Sequence, residues 1–315
     1  MLRLIGRTIL QTVVLLFIVT AVVFVLMSLV PGDAARAILG TTGTEEQYQQ
    51  LREQLGLDLP LWQQYANYWA TLFSGSFGTT LHTHQPVLTS ILDRMPITLS
   101  LVVGATLVST IVGILLGVLA ATSSRIVRSA VDVVSLLGTA LPSYWLAILG
   151  VMVFALAVPL LPATGYVDFW SSPVRWAQSL VLPVAALALG GVALIAKTTR
   201  DGMLRATNGL YARTLRAGGV SEGAIVWRHA LKNSALPILP IVNVMFVSAL
   251  GGSVFVESIF ALNGLGSLIV TAVSAHEIYQ VLGVAVIFTV FACATNLIVD
   301  VLLGVFDPRL KGGRA

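Results

Sequence analysis

Few residues in this sequence have types and spacings suited to chemistry. His82 and His84 stand one residue apart, but two imidazoles alone do not complete a typical metal site, and a solvated pair in a loop is the simpler reading. No Lys follows a Gly, so no Gly-rich loop ending in Gly-Lys is present to cradle nucleotide phosphates. No G-x-S-G or H-E-x-x-H lies on an apolar stretch, which argues against common intramembrane proteases. Two carboxylates, Glu257 and Asp300, fall near the ends of apolar stretches, where a charge is costly unless paired or wet. Glu257 then reads either as part of an outer gate or substrate path, or as a carboxylate that caps nearby backbone N–H groups or meets an Arg. For Asp300 the capping reading fits better.

The elements that hold these residues are apolar. Of 315 residues, 57% are hydrophobic and only 10% charged, against about a quarter charged in an ordinary soluble domain. A bilayer core needs roughly 20 apolar residues per helix, and six stretches qualify: Thr8–Gly32, Met95–Ser124, Val133–Val167, Trp176–Ala196, Asn233–Val256 and Ile278–Val299. Asp132 sits at the edge of its stretch. The third stretch is longer than a span requires, so its helix is expected to stop near Pro159 or Pro162, with a turn over Leu161–Tyr166. Ile9–Val30 is too long for the core of a signal peptide and lacks a clear cleavage site, so it reads as a retained span. The single cysteine, Cys293, lies inside an apolar run and forms no internal disulfide.

Charge orients the spans. Arg3 and Arg7, Arg125 and Arg128, Lys197 through Lys232, and Arg309, Lys311 and Arg314 fall on one side, 14 of the 18 Arg and Lys. Arg36, Arg52, Arg94 and Arg175 fall on the other. The positive-inside rule therefore places both termini in the cytoplasm, as an even number of spans requires. It also accounts for the net charge of +4 without nucleic acid. The outer loop Gly32–Arg94 carries a polar helical surface around Glu45–Glu53, then Leu61–Phe73 with Trp62, Tyr65, Tyr68 and Trp69. That segment is either an interfacial helix, a docking surface, or a cap packed on the bundle. The inner loop Arg200–Asn233 places Leu210, Leu215, Val220, Ala224, Trp227 and Leu231 at helical intervals around Gly218-Gly219, which predicts two short helices meeting at a glycine turn. Those apolar side chains need cover, from a cytosolic partner or from the bundle itself.

Leu55-Gly56-Leu57-Asp58-Leu59-Pro60-Leu61, Gly75-Ser76-Phe77-Gly78-Thr79, Leu161-Pro162-Ala163-Thr164-Gly165-Tyr166, Gly251-Gly252 with Glu257, Gly264-Leu265-Gly266 and Asp307-Pro308-Arg309 occur in an order and spacing that resemble one family from end to end. It is the membrane subunits of binding-protein-dependent ABC importers, in the dipeptide, oligopeptide and nickel group. Tyr211-Ala212-Arg213-Thr214-Leu215-Arg216-Ala217-Gly218-Gly219-Val220-Ser221-Glu222, followed by Arg228-His229-Ala230-Leu231, resembles the family's EAA loop. It departs from the general pattern: Arg213-Thr214-Leu215 stand at its first three positions, and Gly218 replaces a common Lys.

The resemblance implies an all-α membrane protein of the type I importer permease fold, multi-pass in the bacterial inner membrane, with six helices and both termini inside. It implies a cytoplasmic N-terminus at 1–8, helix 1 at 9–30, an extracytoplasmic segment at 31–95, a core of helices 2–6 at 96–305 with the coupling loop at 200–233, and a cytoplasmic C-terminus at 306–315. The expected function is ATP-driven uptake of short peptides, with nickel or another small chelate as the alternative. A different class, an ion-coupled carrier or channel, would call for charges at mid-span, which the sequence lacks. The chain itself is expected to be non-catalytic and to bind no cofactor, ATP and Mg²⁺ belonging to partner subunits. Those partners are a second homologous permease, two ATPase subunits or one fused ATPase, an extracytoplasmic binding protein and membrane lipid. The coupling residues are Tyr211, Arg213, Thr214, Leu215, Arg216, Ala217, Gly218, Gly219, Val220, Glu222, Arg228 and His229, with Leu215 and Val220 as apolar anchors. Asn243 and Glu257 are the expected residues of the translocation path or gate.

Overall fold

The computed structural model describes residues 2–40 and 43–306. Expectations for Asp307-Pro308-Arg309, Lys311 and Arg314 lie outside the described residues, as do those for the side chains of Arg3 and Arg7. The helices run α1 (Leu2–Ser28), α2 (Ala34–Leu39), α3 (Glu45–Gln54), α4 (Leu61–Phe73), α5 (Val87–Thr122), α6 (Arg125–Ala140), α7 (Ser143–Val151), α8 (Pro173–Asn208), α9 (Leu210–Ala217), α10 (Glu222–Ala224), α11 (Leu231–Ile259), α12 (Leu265–Ser274) and α13 (Ile278–Phe306). A π-helical turn, Met152–Ala157, follows α7, and another, Ile225–Ala230, leads into α11. Among the described residues five helices are long and apolar enough to cross a membrane, and α6 with α7 and its π-turn makes a sixth span if the bent pair counts as one.

The third span differs from the straight helix that its apolar run suggests. It breaks between α6 and α7, with a bend of 101°. Pro142 lacks an N–H and pushes the residue before it out of the helical region, and Leu141 is accordingly extended at φ −91°, ψ 126°. The helix still ends before Pro159, because the π-turn closes at Ala157. Helix α6 buries none of its residues within this chain. Ile126, Val133 and Leu137 are exposed, as lipid-facing residues should be, while Asp132 on the polar face forms an ion pair with Arg200 of α8.

The described residues form two compact units, one within 2–98 and 263–293, the other within 99–262 and 294–306. In the first, α4 is a cap packed on α1. Trp69 stacks on Phe17 with ring centroids 3.9 Å apart, Tyr65 Oη donates to the Phe17 carbonyl at 2.9 Å, and Tyr68 is buried beside Phe24 and Leu282. The apolar face of α1 thus supplies the aromatic partners that α4 needs. Burial pushes the Tyr68 hydroxyl well above its ordinary pKa.

Glu277, in the turn between α12 and α13, is a buried carboxylate with partners far back in the chain. It is 5% exposed and accepts from the backbone N–H groups of Leu81 at 2.8 Å and His82 at 3.1 Å, with the His82 ring nitrogen Nδ1 at 2.9 Å. His82 is therefore committed to Glu277, and the short bridge Thr79–Pro86 is pinned to the α12–α13 turn. Removing a buried acceptor leaves its donors unsatisfied at about 1–3 kcal/mol each. Glu277→Ala should therefore expose the 79–86 hairpin to added protease while Glu277→Asp keeps more of the protection. Equal cleavage of wild type and Glu277→Ala would contradict this.

In the second unit α8 is the central helix, and small residues let its neighbours approach. Gly113 and Gly117 on α5 lie four apart, the spacing at which two helix backbones can touch. A Cβ on Gly117 would fall 2.5 Å from Thr199 Cβ and 2.6 Å from the Ala196 carbonyl oxygen. On the same seam Ser109 Oγ donates to the Ala188 carbonyl at 2.9 Å.

Candidate functional site

The inner loop begins where α8 stops. One extended residue, Gly209 (φ −71°, ψ 164°), separates α8 from α9. At the other end of α9 the chain turns back through Gly218 and Gly219, as the sequence predicts. Gly219 takes φ +77°, its N–H donates to the Arg216 carbonyl at 3.0 Å, and the Val220 N–H donates to the Leu215 carbonyl at 3.1 Å. This pair of bonds is the Schellman ending of a helix, which needs a residue tolerant of positive φ at the Gly219 position. Ser221 then caps α10, its Oγ accepting from Ala224 N–H at 3.4 Å.

The apolar residues of the loop divide into two sets. Ala212, Ile225 and Ala230 are buried, and Ala230 joins Val118 and Met203 in a core cluster that roots the loop in the bundle. Leu215 and Val220 are half-buried. They hold the two positions that a Schellman motif brings side by side, so their apolar character is explained within the chain. The large apolar side chains left uncovered are Leu210, 80% exposed, with Trp227 and Tyr211 also exposed. Sequence periodicity flagged Leu210 and Trp227 as apolar but could not separate them from residues that serve the turn.

Among the polar residues, Arg213, Thr214, Ala217 and Arg228 are exposed around this surface. The Tyr211 hydroxyl lies 3.0 Å from His229 Nδ1, tying α9 to the π-turn. Arg216 donates from Nε to Glu222 Oε1 at 2.5 Å, from Nη2 to Glu222 Oε2 at 3.1 Å, and from Nη1 to the Thr207 carbonyl at 3.0 Å. The hydrogen bond between them holds the Glu222 carboxyl below its ordinary pKa and the Arg216 guanidinium above its own. A carboxylate whose pKa is lowered on folding stabilises above its unfolded pKa, and the contribution is lost as pH falls through the folded value. The clasp should therefore hold at neutral pH and open only in acid.

The two expected path residues lie elsewhere. Asn243 Nδ2 donates to Asn296 Oδ1 at 3.2 Å, and its own Oδ1 is buried without a partner. Glu257 is fully buried in the last turn of α11. Neither lines a cavity of about 300 Å³ in this unit, whose polar lining is Thr106, Ser109, Thr139, Ser143 and Ser248. Among the described residues no group of three or more His, Cys, Asp and Glu gathers to hold a metal.

Two family models match this chain. One, described as the binding-protein-dependent transport system inner membrane component, matches residues 113–312, and its N-terminal companion matches residues 1–102. A putative peptide transport system permease protein of Brucella abortus is 37% identical over 312 residues, 99% of each chain. A probable D,D-dipeptide transport system permease protein of Escherichia coli is 32% identical, covering 94% of this chain and 93% of its own length. A dipeptide transport system permease protein of Alkalihalophilus pseudofirmus is also 32% identical, covering 97% of this chain and 98% of its own length.

Proposed function

This chain belongs to the family of binding-protein-dependent transport system inner membrane components, and we propose that it forms half of an ATP-driven path for short peptides. It is an inner-membrane permease of an ABC importer, multi-pass and helical. The observation that carries the peptide reading is the end-to-end match to relatives named as peptide and dipeptide permeases. In this reading a second, homologous permease completes the path, two ATPase subunits bind and hydrolyse ATP with Mg²⁺, and an extracytoplasmic binding protein delivers substrate.

The residues of this chain supply coupling rather than catalysis. The exposed apolar patch at Leu210, Tyr211 and Trp227, ringed by Arg213 and Arg228, suits a hydrophobic groove with an acidic rim on a cytosolic ATPase. ATP favours one state of the ATPase pair over the other, and that difference drives the permease between inward- and outward-open forms. The test is uptake of radiolabelled tri-alanine in cells with and without this chain, together with the ligand retained by the partner binding protein. Loss of uptake on deletion supports the reading. Unchanged uptake, with a nickel chelate retained by the binding protein, contradicts it.

The proposed topology has both termini in the cytoplasm. Cysteines placed at Ser76 and Ser221, in a Cys293→Ala background, should react with a membrane-impermeant maleimide from opposite sides. Labelling of both from the same side would contradict the arrangement.

A further inference from the structure

We propose that Arg216 is a positioning residue that locks α8, α9 and α10 into one rigid lever, so that force on α9 passes into the bundle instead of being absorbed at Gly209. The inference rests on the reading of this loop as the ATPase-docking element. It differs from a rim-charge role for Arg216, because the structure gives all three donor groups of its side chain to this chain's own acceptors.

The geometry leaves a weak point that the side chain closes. Only Gly209 separates α8 from α9, and a residue without Cβ is the easiest place in a chain to bend. Hinges of this kind absorb rotation in a few residues at element ends. Arg216 sits at the opposite end of α9 and reaches back over that joint to the Thr207 carbonyl, in the last turn of α8, at 3.0 Å. Carbonyls there have no intrahelical donor, and a cation is favoured by the helix dipole. With its other edge the same guanidinium holds Glu222, the first residue of α10, through two bonds. Only arginine has a planar fork long enough to serve both acceptors at once. The continuation beyond α8 is also present: Arg200, two turns before Thr207, pairs with Asp132 of α6 and with its own neighbour Asp201. A displacement of α9 thus has a connected route into α8 and onward to the broken third span.

An exposed ion pair contributes little to global stability, so the role is read from stiffness and coupling, not from folding. Spin labels at Arg205→Cys and Gly223→Cys, in a Cys293→Ala background, report the spread of distances between α8 and α10 in the isolated permease in nanodiscs. Arg216→Ala should broaden that distribution. In the assembled importer the same substitution should lower the stimulation of ATP hydrolysis by loaded binding protein by roughly three- to thirtyfold, with the ATPase subunits still co-purifying. The exchange Arg216→Glu with Glu222→Arg restores the ion pair but offers the Thr207 carbonyl no donor, so it should remain broad and uncoupled. An unchanged distribution in Arg216→Ala overturns the proposal, and if coupling nonetheless falls, Arg216 acts on the partner instead. Full recovery in the exchange variant overturns the anchoring to α8. The nanodisc measurement needs no ATPase, so a wild-type permease that recruits none would defeat the docking reading while leaving the lever independently tested.

Discussion

Gly117→Leu should abolish the folded permease. The position faces α8 so closely that even a Cβ would lie 2.6 Å from the Ala196 carbonyl oxygen and 2.5 Å from Thr199 Cβ. A backbone carbonyl inside a helix cannot rotate aside, so α5 and α8 would have to separate along the seam that includes Gly113 and Ser109. Helix association in a bilayer rests on such close packing, because lipid offers no hydrophobic driving force between helices. Overpacking typically costs about 1–3 kcal/mol even where side chains can yield, and here backbone must. The check is size-exclusion profile and protease resistance of detergent-extracted protein, with Gly304→Leu as the control, since a Cβ at Gly304 meets nothing within 4 Å. A monodisperse, protease-resistant Gly117→Leu would contradict the packing described.

Gly219→Val should leave the permease inserted and folded but uncouple it from ATP hydrolysis. A Cβ at Gly219 meets nothing within 4 Å, so the effect is one of backbone conformation and not of clash. The residue stands at φ +77°, a region that costs a β-branched residue on the order of 1–2 kcal/mol or more. The cheaper outcome is to unmake the Schellman ending, which frays α9 and swings Arg216 away from Glu222. Gly219→Asn separates the causes, because asparagine tolerates the left-handed region. Stimulated ATP hydrolysis should be lost in the valine variant and largely kept in the asparagine variant. Equal loss in both would point to a need for close approach at Gly219 instead.

Much of this architecture is legible in the sequence. Long apolar runs bounded by charge mark the spans, because lipid permits little else. The helix–glycine–helix form of the inner loop follows from Gly218-Gly219 set between apolar residues at helical spacing. The break at Pro142 was harder to read, since membrane helices often tolerate proline, as α8 does Pro183 and α11 does Pro237 and Pro240. The role of Glu277 is hidden from the sequence for a different reason: its partners Leu81 and His82 lie about two hundred residues earlier in the chain, and only tertiary structure joins them. The roles of Leu215 and Val220 show a third limit. Periodicity says that a side chain needs cover, and the turn geometry decides whether the chain or a partner supplies it.

Whether the α9–α10 loop carries force from a cytosolic ATPase can be read at Ala217, which is exposed at the end of α9. A photo-crosslinking amino acid placed there, in the complete importer in native membranes, reports whatever covers the loop. Docking gives an adduct with the ATP-binding subunit, with a yield that changes between the nucleotide-free and ATP-trapped states. Adducts confined to this chain itself or to lipid in every nucleotide state would contradict it.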